Sequence, residues 1–96
     1  MDLSVLIRFF EVAEKDERIR PNHISMYTGL YYLWILNGLK NPYRISRRQL
    51  MKVSKIKSYA TYHKCVQELV DFGFISYSPS YHPSRGSLLS LLRDFK

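Results

Sequence analysis

Ninety-six residues allow one domain with a modest core and leave no room for a second catalytic lobe, and an apolar fraction of 46% with 15% aromatic residues excludes a disordered tail. A net charge of +7 favours an anionic partner, either nucleic acid or an acidic membrane surface. Cys65 is the only cysteine, so no intrachain disulfide forms, and a reducing, cytoplasmic setting is expected.

The opening "MDLSVLIRFFEVAEKDE" has neither a basic leader nor a small-residue cleavage site and does not read as a secretion signal. Leu3, Leu6, Ile7, Phe10 and Ala13 recur at helical spacing and predict a first helix over 2–15. Its other side carries Val5, Phe9 and Val12, more apolar surface than one neighbouring helix needs. Two arrangements follow: a homodimer contact through this helix, or a helix sandwiched inside its own domain.

"RPNH" interrupts the pattern, and Asn22 is read as the N-cap of a second helix over 22–39. Ile24, Tyr27, Leu30, Tyr31 and Trp34 form its stripe, widened by Leu33, Ile35 and Leu36, which makes it the central core helix. Its most apolar run, 26–39, contains Thr28, Asn37 and four aromatics and is too short to cross a bilayer, so no membrane partner is expected. "GLKNP" supplies turn chemistry, and "YRI" reads as a short extended piece.

From Ser46 onward the local signals agree with one another. Ser46 and Gln49 fit a capping box, with Ile45 and Leu50 at the positions of a hydrophobic staple, so a short helix over 46–54 turns Leu50 and Val53 inward. "SKIK" is a tight turn with Ile56 as its apolar plug, and Ser58 caps a further helix over 58–72. Gly73 suits the left-handed position that ends that helix, and Phe74 can pack back on Leu69.

Two helices joined by a turn of about four residues are a helix-turn-helix candidate. At about 100° per residue, Tyr62, Cys65, Val66 and Leu69 fall in one inward stripe. The opposite side presents Ala60, Lys64, Gln67 and Asp71, flanked by Thr61, His63 and Glu68. Its acids come late, so the end led by Lys57 and Ser58 is the one suited to phosphates and base edges. Tyr59, at the edge of the inward stripe, is expected to pack rather than stack on DNA. Residues 40–64 hold eight basic residues, Lys40, Arg44, Arg47, Arg48, Lys52, Lys55, Lys57 and Lys64, and no acid. A lysine-rich helix face is by default a solvated one, and it gains meaning here because cap, turn and helix fall in one order.

Beyond Gly73 the chain reads as strand, loop, strand: Phe74, Ile75 and Tyr77 are strand formers, 79–86 holds two prolines and a glycine, and 88–92 resumes extended character. A hairpin over 74–92, directly after the helix, would act as a wing, with Arg85 near its tip placed to reach a phosphate or a minor groove, and Tyr81 and His82 as lesser candidates.

"ATYHKCVQELVDFGFISY" resembles the helix-to-wing signature of bacterial winged helix-turn-helix regulators of the MarR-like and related kinds, in which a threonine is followed eight residues later by leucine, then by glycine and isoleucine; here these are Thr61, Leu69, Gly73 and Ile75. The likeness covers about 43–92. The whole chain also resembles short winged-helix proteins that accompany bacterial mobile elements, and it differs from full-length MarR-like regulators in lacking their long C-terminal dimerisation helices. The resemblance implies a mainly α fold with a small β-hairpin (α+β), a winged helix-turn-helix with an extra N-terminal helix. It implies binding of double-stranded DNA through the helix over 58–72, with Ala60, Thr61, His63, Lys64 and Gln67 facing bases and Arg47, Arg48, Lys52, Lys57 and Arg85 on the backbone. Lys55 and Ser58 complete the expected contact set. Gln67 is suited to adenine and Lys64 to guanine.

No catalytic pattern accompanies these residues. His63 and Cys65, two apart, point to different helix faces and give no zinc spacing; there is no H-E-x-x-H and no glycine-rich phosphate loop, and Cys65 belongs to the inward stripe as a small core residue. No enzyme activity, metal, cofactor or small-molecule ligand is expected. The alternative to DNA binding is a winged helix that binds another protein, with the lysines serving solubility.

Overall fold

The computed structural model describes residues 3–79 and 86–92 and forms four helices and a three-stranded antiparallel sheet, an α+β arrangement. The tip residues Tyr81, His82 and Arg85 lie outside the described residues.

Helix α1 spans Ser4–Ala13, within the predicted 2–15. The set turned inward is the sparser one: Val5 and Phe9 are buried, while Leu3, Ile7 and Phe10 remain 51%, 57% and 41% exposed. Aromatic geometry accounts for this choice. Phe9 stacks on Tyr27 with centroids 3.9 Å apart and meets the edge of Phe74 at 5.1 Å, anchoring α1 to the centre of the core through one ring. The chain then turns at Asp16, whose carboxylate accepts from the Arg18 guanidinium at 2.7 Å and from the Arg18 backbone N–H at 2.9 Å.

Helix α2 spans Pro21–Leu36 and starts earlier than the Asn22 cap predicts, because Arg20 is the N-cap and Pro21 the first helical residue. The fixed φ of proline suits that position, where no N–H is needed. His23 completes the cap by accepting the Arg20 backbone N–H on Nδ1 at 2.9 Å. The helix ends at Leu36 rather than residue 39. Gly38 and Leu39 both have positive φ, and their N–H groups return to Ile35 and Trp34, the paired bonds of a Schellman closure. Met26, Tyr27, Leu30, Leu33 and Trp34 are sealed within the core, each contributing about 1.5–3 kcal/mol of burial. Leu36, expected on the stripe, is exposed, as is Tyr32. The Tyr27 hydroxyl and the Trp34 indole N–H are buried with no hydrogen-bond partner among the described residues, so ring packing has to outweigh that desolvation.

The extended "YRI" is strand β1, Tyr43–Ile45, followed by α3, Arg47–Ser54, and α4, Tyr59–Asp71. Strands β2, Ile75–Ser78, and β3, Ser87–Leu91, pair antiparallel, Ile75 opposite Leu91 and Ser78 opposite Leu88. Sequence pattern predicts only this hairpin. The sheet order is β1-β3-β2, with Tyr43 opposite Leu89 and Ile45 opposite Ser87, so β3 lies between the strand preceding α3 and the strand following α4. Asn41 extends the pairing with its side chain, donating to the Leu91 carbonyl at 2.9 Å and accepting the Leu91 N–H at 3.1 Å. Gly86 permits the approach of β3 to β1, since a Cβ there would sit 2.5 Å from the Ile45 carbonyl oxygen.

Candidate nucleic-acid interface

Helix α3 is set by its first and last residues. The Ser46 hydroxyl accepts the Gln49 N–H at 3.0 Å, as the capping-box pattern predicts, and Ile45 and Leu50 are both buried. At the other end Ser54 donates to the Leu50 carbonyl, and Ser25 of α2 donates to the Ser54 carbonyl. Gly29 lets α2 and α3 approach closely: a Cβ there would stand 3.1 Å from Val53 Cγ2. Lys55 stops the helix in a left-handed conformation, φ 63°, which costs a non-glycine residue about 1–2 kcal/mol. Ile56 then plugs the turn, 6% exposed, and the strained residue is held in place by this buried neighbour.

Ser58 opens α4 by accepting the Thr61 N–H at 3.3 Å. Tyr62, Cys65, Val66 and Leu69 are buried, the stripe expected from spacing. Gly73 has φ +86°, and the N–H groups of Gly73 and Phe74 bond back to Val70 and Leu69, closing the helix as predicted. Burial raises the Tyr62 phenol to about 12, and burial with the neighbouring Glu68 pushes the Cys65 thiol up against the smaller opposing effect of Lys64. Both side chains are therefore neutral at pH 7 and serve packing.

With α4 fixed in this way, Arg47, Arg48, Lys52, Lys55, Lys57, Ser58, Ala60, His63, Lys64 and Gln67 are exposed and Thr61 is partly so. They lie on the exposed positions of α3, the turn and α4, and the Arg47–Tyr59 contact joins the starts of the two helices. Two of the three expected acceptor-seeking groups on α4, His63 and Lys64, stand exposed. The third is engaged: Gln67 donates its amide N–H to Asp71 at 2.9 Å, a pairing within one turn that competes with adenine recognition.

Glu68, the other acid of α4, is drawn inward. Its Oε1 lies 3.0 Å from Nε2 of His23, a ring only 2% exposed. Since Nδ1 already accepts from Arg20, the neutral ring carries its proton on Nε2 and donates it to Glu68. Phe72 abuts the same imidazole edge-on, and Arg18 lies 4.2 Å over Phe72. A cleft of about 180 Å³ between the start of α2 and α4 is bordered by His23, Glu68, Thr61 and Lys64. This His23–Glu68 tie is not legible from spacing, because the two residues are 45 apart and on different helices.

Tyr59 is a correction. It is 61% exposed, and the Arg47 guanidinium lies over its ring at 4.6 Å. Periodicity gives an angle around a helix and says nothing of how far the helix end projects past the core. Tyr59 is the first residue of α4, and its ring is exposed although Ile56 and Tyr62, three residues to either side, are buried. Its placement immediately after the Ser58 cap is the signal that would have found it.

Among the described residues no three His, Cys, Asp or Glu side chains gather as they would around a metal ion, and no helix is long and apolar enough to cross a membrane. Comparison of the chain with protein-family models, with curated proteins and with solved structures returns no match.

Proposed function

We propose that this chain is a winged helix-turn-helix protein that binds double-stranded DNA, acting as a bacterial transcriptional regulator or as an accessory factor of a mobile element. In this reading α4 enters the major groove by its first two turns, α3 lies across the backbone, and the β2–β3 hairpin is the wing. One observation carries it: eight basic residues and no acid over 40–64, four of them exposed on a pair of serine-capped helices (Arg47, Arg48, Lys52 and Lys64) and two, Lys55 and Lys57, in the turn between. Five of the eight acids lie within the first seventeen residues, away from this stretch of sequence, and the two acids of α4 are occupied by His23 and Gln67. Such segregation favours a polyanion over general solubility.

Fluorescence anisotropy of a labelled duplex as a function of salt tests the reading. If about five phosphates are neutralised, log affinity falls against log salt with a slope of roughly −4 to −5. The double variant Arg48→Glu with Lys64→Glu loses duplex binding with an unchanged far-ultraviolet circular dichroism spectrum. A flat salt response, or unchanged binding by that variant, refutes it.

The exposed Leu3 at the N-cap of α1 and Ile7 and Phe10 within it support a second reading, a protein contact through this helix, either a homodimer or a heterologous module that does not need DNA. Solution mass of the chain and of Ile7→Glu separates the two forms, and a partner retained equally by the Arg48→Glu, Lys64→Glu variant favours the module.

A further inference from the structure

Lys52, Lys55, Lys57 and Lys64 enter the proposed interface as exposed point charges. Arg47 is placed differently. Its guanidinium carbon lies 4.6 Å above the centre of the Tyr59 ring, and the two residues are the first of α3 and of α4, each following a serine that caps its helix. Two rigid helix ends therefore bring the two side chains together. No carboxylate is among the described partners of this guanidinium: Glu68 is held by His23 and Asp71 by Gln67. A guanidinium lying over a ring has one side against it while N–H groups stay open to solvent, and those groups form a planar fork matching a pair of acceptor atoms. Holding the fork before the acceptors arrive removes part of the ordering cost of binding.

Resting on the DNA-binding reading above, we infer that Arg47 and Tyr59 form one prebuilt clamp for a bidentate acceptor pair on the duplex, acting through plane and orientation rather than through charge. The pair is either two oxygens of one phosphate or O6 and N7 of one guanine. Tyr59 is the positioning residue: its ring aims the fork, and Arg47 makes the contact. Lys52, Lys55 and Lys57, by contrast, act by charge alone.

The test is a set of full-length variants, Arg47→Lys, Tyr59→Leu, Tyr59→Phe and the Arg47→Lys, Tyr59→Leu double variant, titrated at one salt concentration. The probes are a duplex selected from a random pool by the unaltered chain and a scrambled duplex of equal length, with melting curves to establish folding. Arg47→Lys keeps the charge, yet weakens binding by at least about fivefold, the low end for a bidentate contact. Tyr59→Leu weakens it about two- to fivefold, and Tyr59→Phe, which keeps the ring, recovers that loss. The double variant is no weaker than Arg47→Lys alone to within about twofold, because the ring works through the guanidinium. Equal losses on both duplexes identify a phosphate; losses confined to the selected duplex identify a guanine. Binding by Arg47→Lys within about twofold of the unaltered chain, weakened binding by Tyr59→Phe, or independent losses that multiply in the double variant overturn the clamp while leaving DNA binding intact. If the unaltered chain binds neither duplex, the DNA-binding reading falls and the clamp falls with it.

Discussion

Replacing Glu68 with alanine cuts the tie between the start of α2 and the outer half of α4. His23 is 2% exposed, and its Nδ1 is committed to the Arg20 N–H, so the ring has Nε2–H to offer and, among the described residues, Glu68 at 3.0 Å to take it. A hydrogen bond to a charged group contributes about 1.5–3 kcal/mol net. The Glu68 side chain is 33% exposed, so water reaches the space the carboxylate leaves and the loss sits at the low end, about 1.5 kcal/mol. For a chain of this size that is a fall in melting temperature of roughly 6–12 °C. Circular dichroism melts at pH 7 measure it, and Glu68→Gln, which keeps an acceptor oxygen, falls by less. On the DNA-binding reading the same alanine variant gains affinity at low salt, since α4 loses one of its two acids. Stability and affinity therefore move in opposite directions. A melting shift below about 2 °C refutes the tie as a structural element, and a loss of affinity by a still-folded variant refutes the placement of negative charge at that end.

Gly86→Ala puts a Cβ 2.5 Å from the Ile45 carbonyl oxygen at a residue with φ +67°, so strain and displacement of β3 together cost about 2–3 kcal/mol, read from urea unfolding. Gln67→Ala leaves duplex affinity within about twofold and the selected sequence unchanged, because the amide is engaged by Asp71; a lost base preference would contradict this. The hydrogen bonds that Asp16 accepts from the Arg18 guanidinium, and then from the Arg18 backbone, hold its carboxyl down at about 2. A carboxyl depressed in the folded state adds stability above its unfolded value near 4 and loses it as pH falls through about 2. The melting difference between the unaltered chain and Asp16→Asn is accordingly present at pH 7 and gone by about pH 2.

Elements whose signal is local were legible in the sequence. The Ser46 cap on Gln49, the plug at Ile56, the cap at Ser58 and the glycine closure at Gly73 each depend on residues within about five positions, and each has the expected geometry. What depends on distant partners was not. The pairing of β1 with β3 joins residues more than forty apart, and nothing in "YRI" announces a partner. In α1 both faces are apolar, and the choice between them was made by a single stacking of Phe9 on Tyr27. Asn22 is a good cap by composition, but Pro21 with its fixed φ and the His23 imidazole moved the start back to Arg20. Within the site, spacing separated the inward from the outward side of α4. It missed the residues whose behaviour is set by a neighbour on another helix, Tyr59 under Arg47 and Glu68 against His23, and also Gln67, closed against Asp71.

The strand order β1-β3-β2 carries a consequence for the growing chain. Ile45 leaves the ribosome some forty residues before Ser87, its partner. At about 5–20 residues per second that is a delay of seconds. During it α3 and then α4 emerge with their neighbouring strand unpaired, and helices of 8 and 13 residues are marginal until packing holds them. The basic stretch is thus made seconds before the strand that completes its sheet.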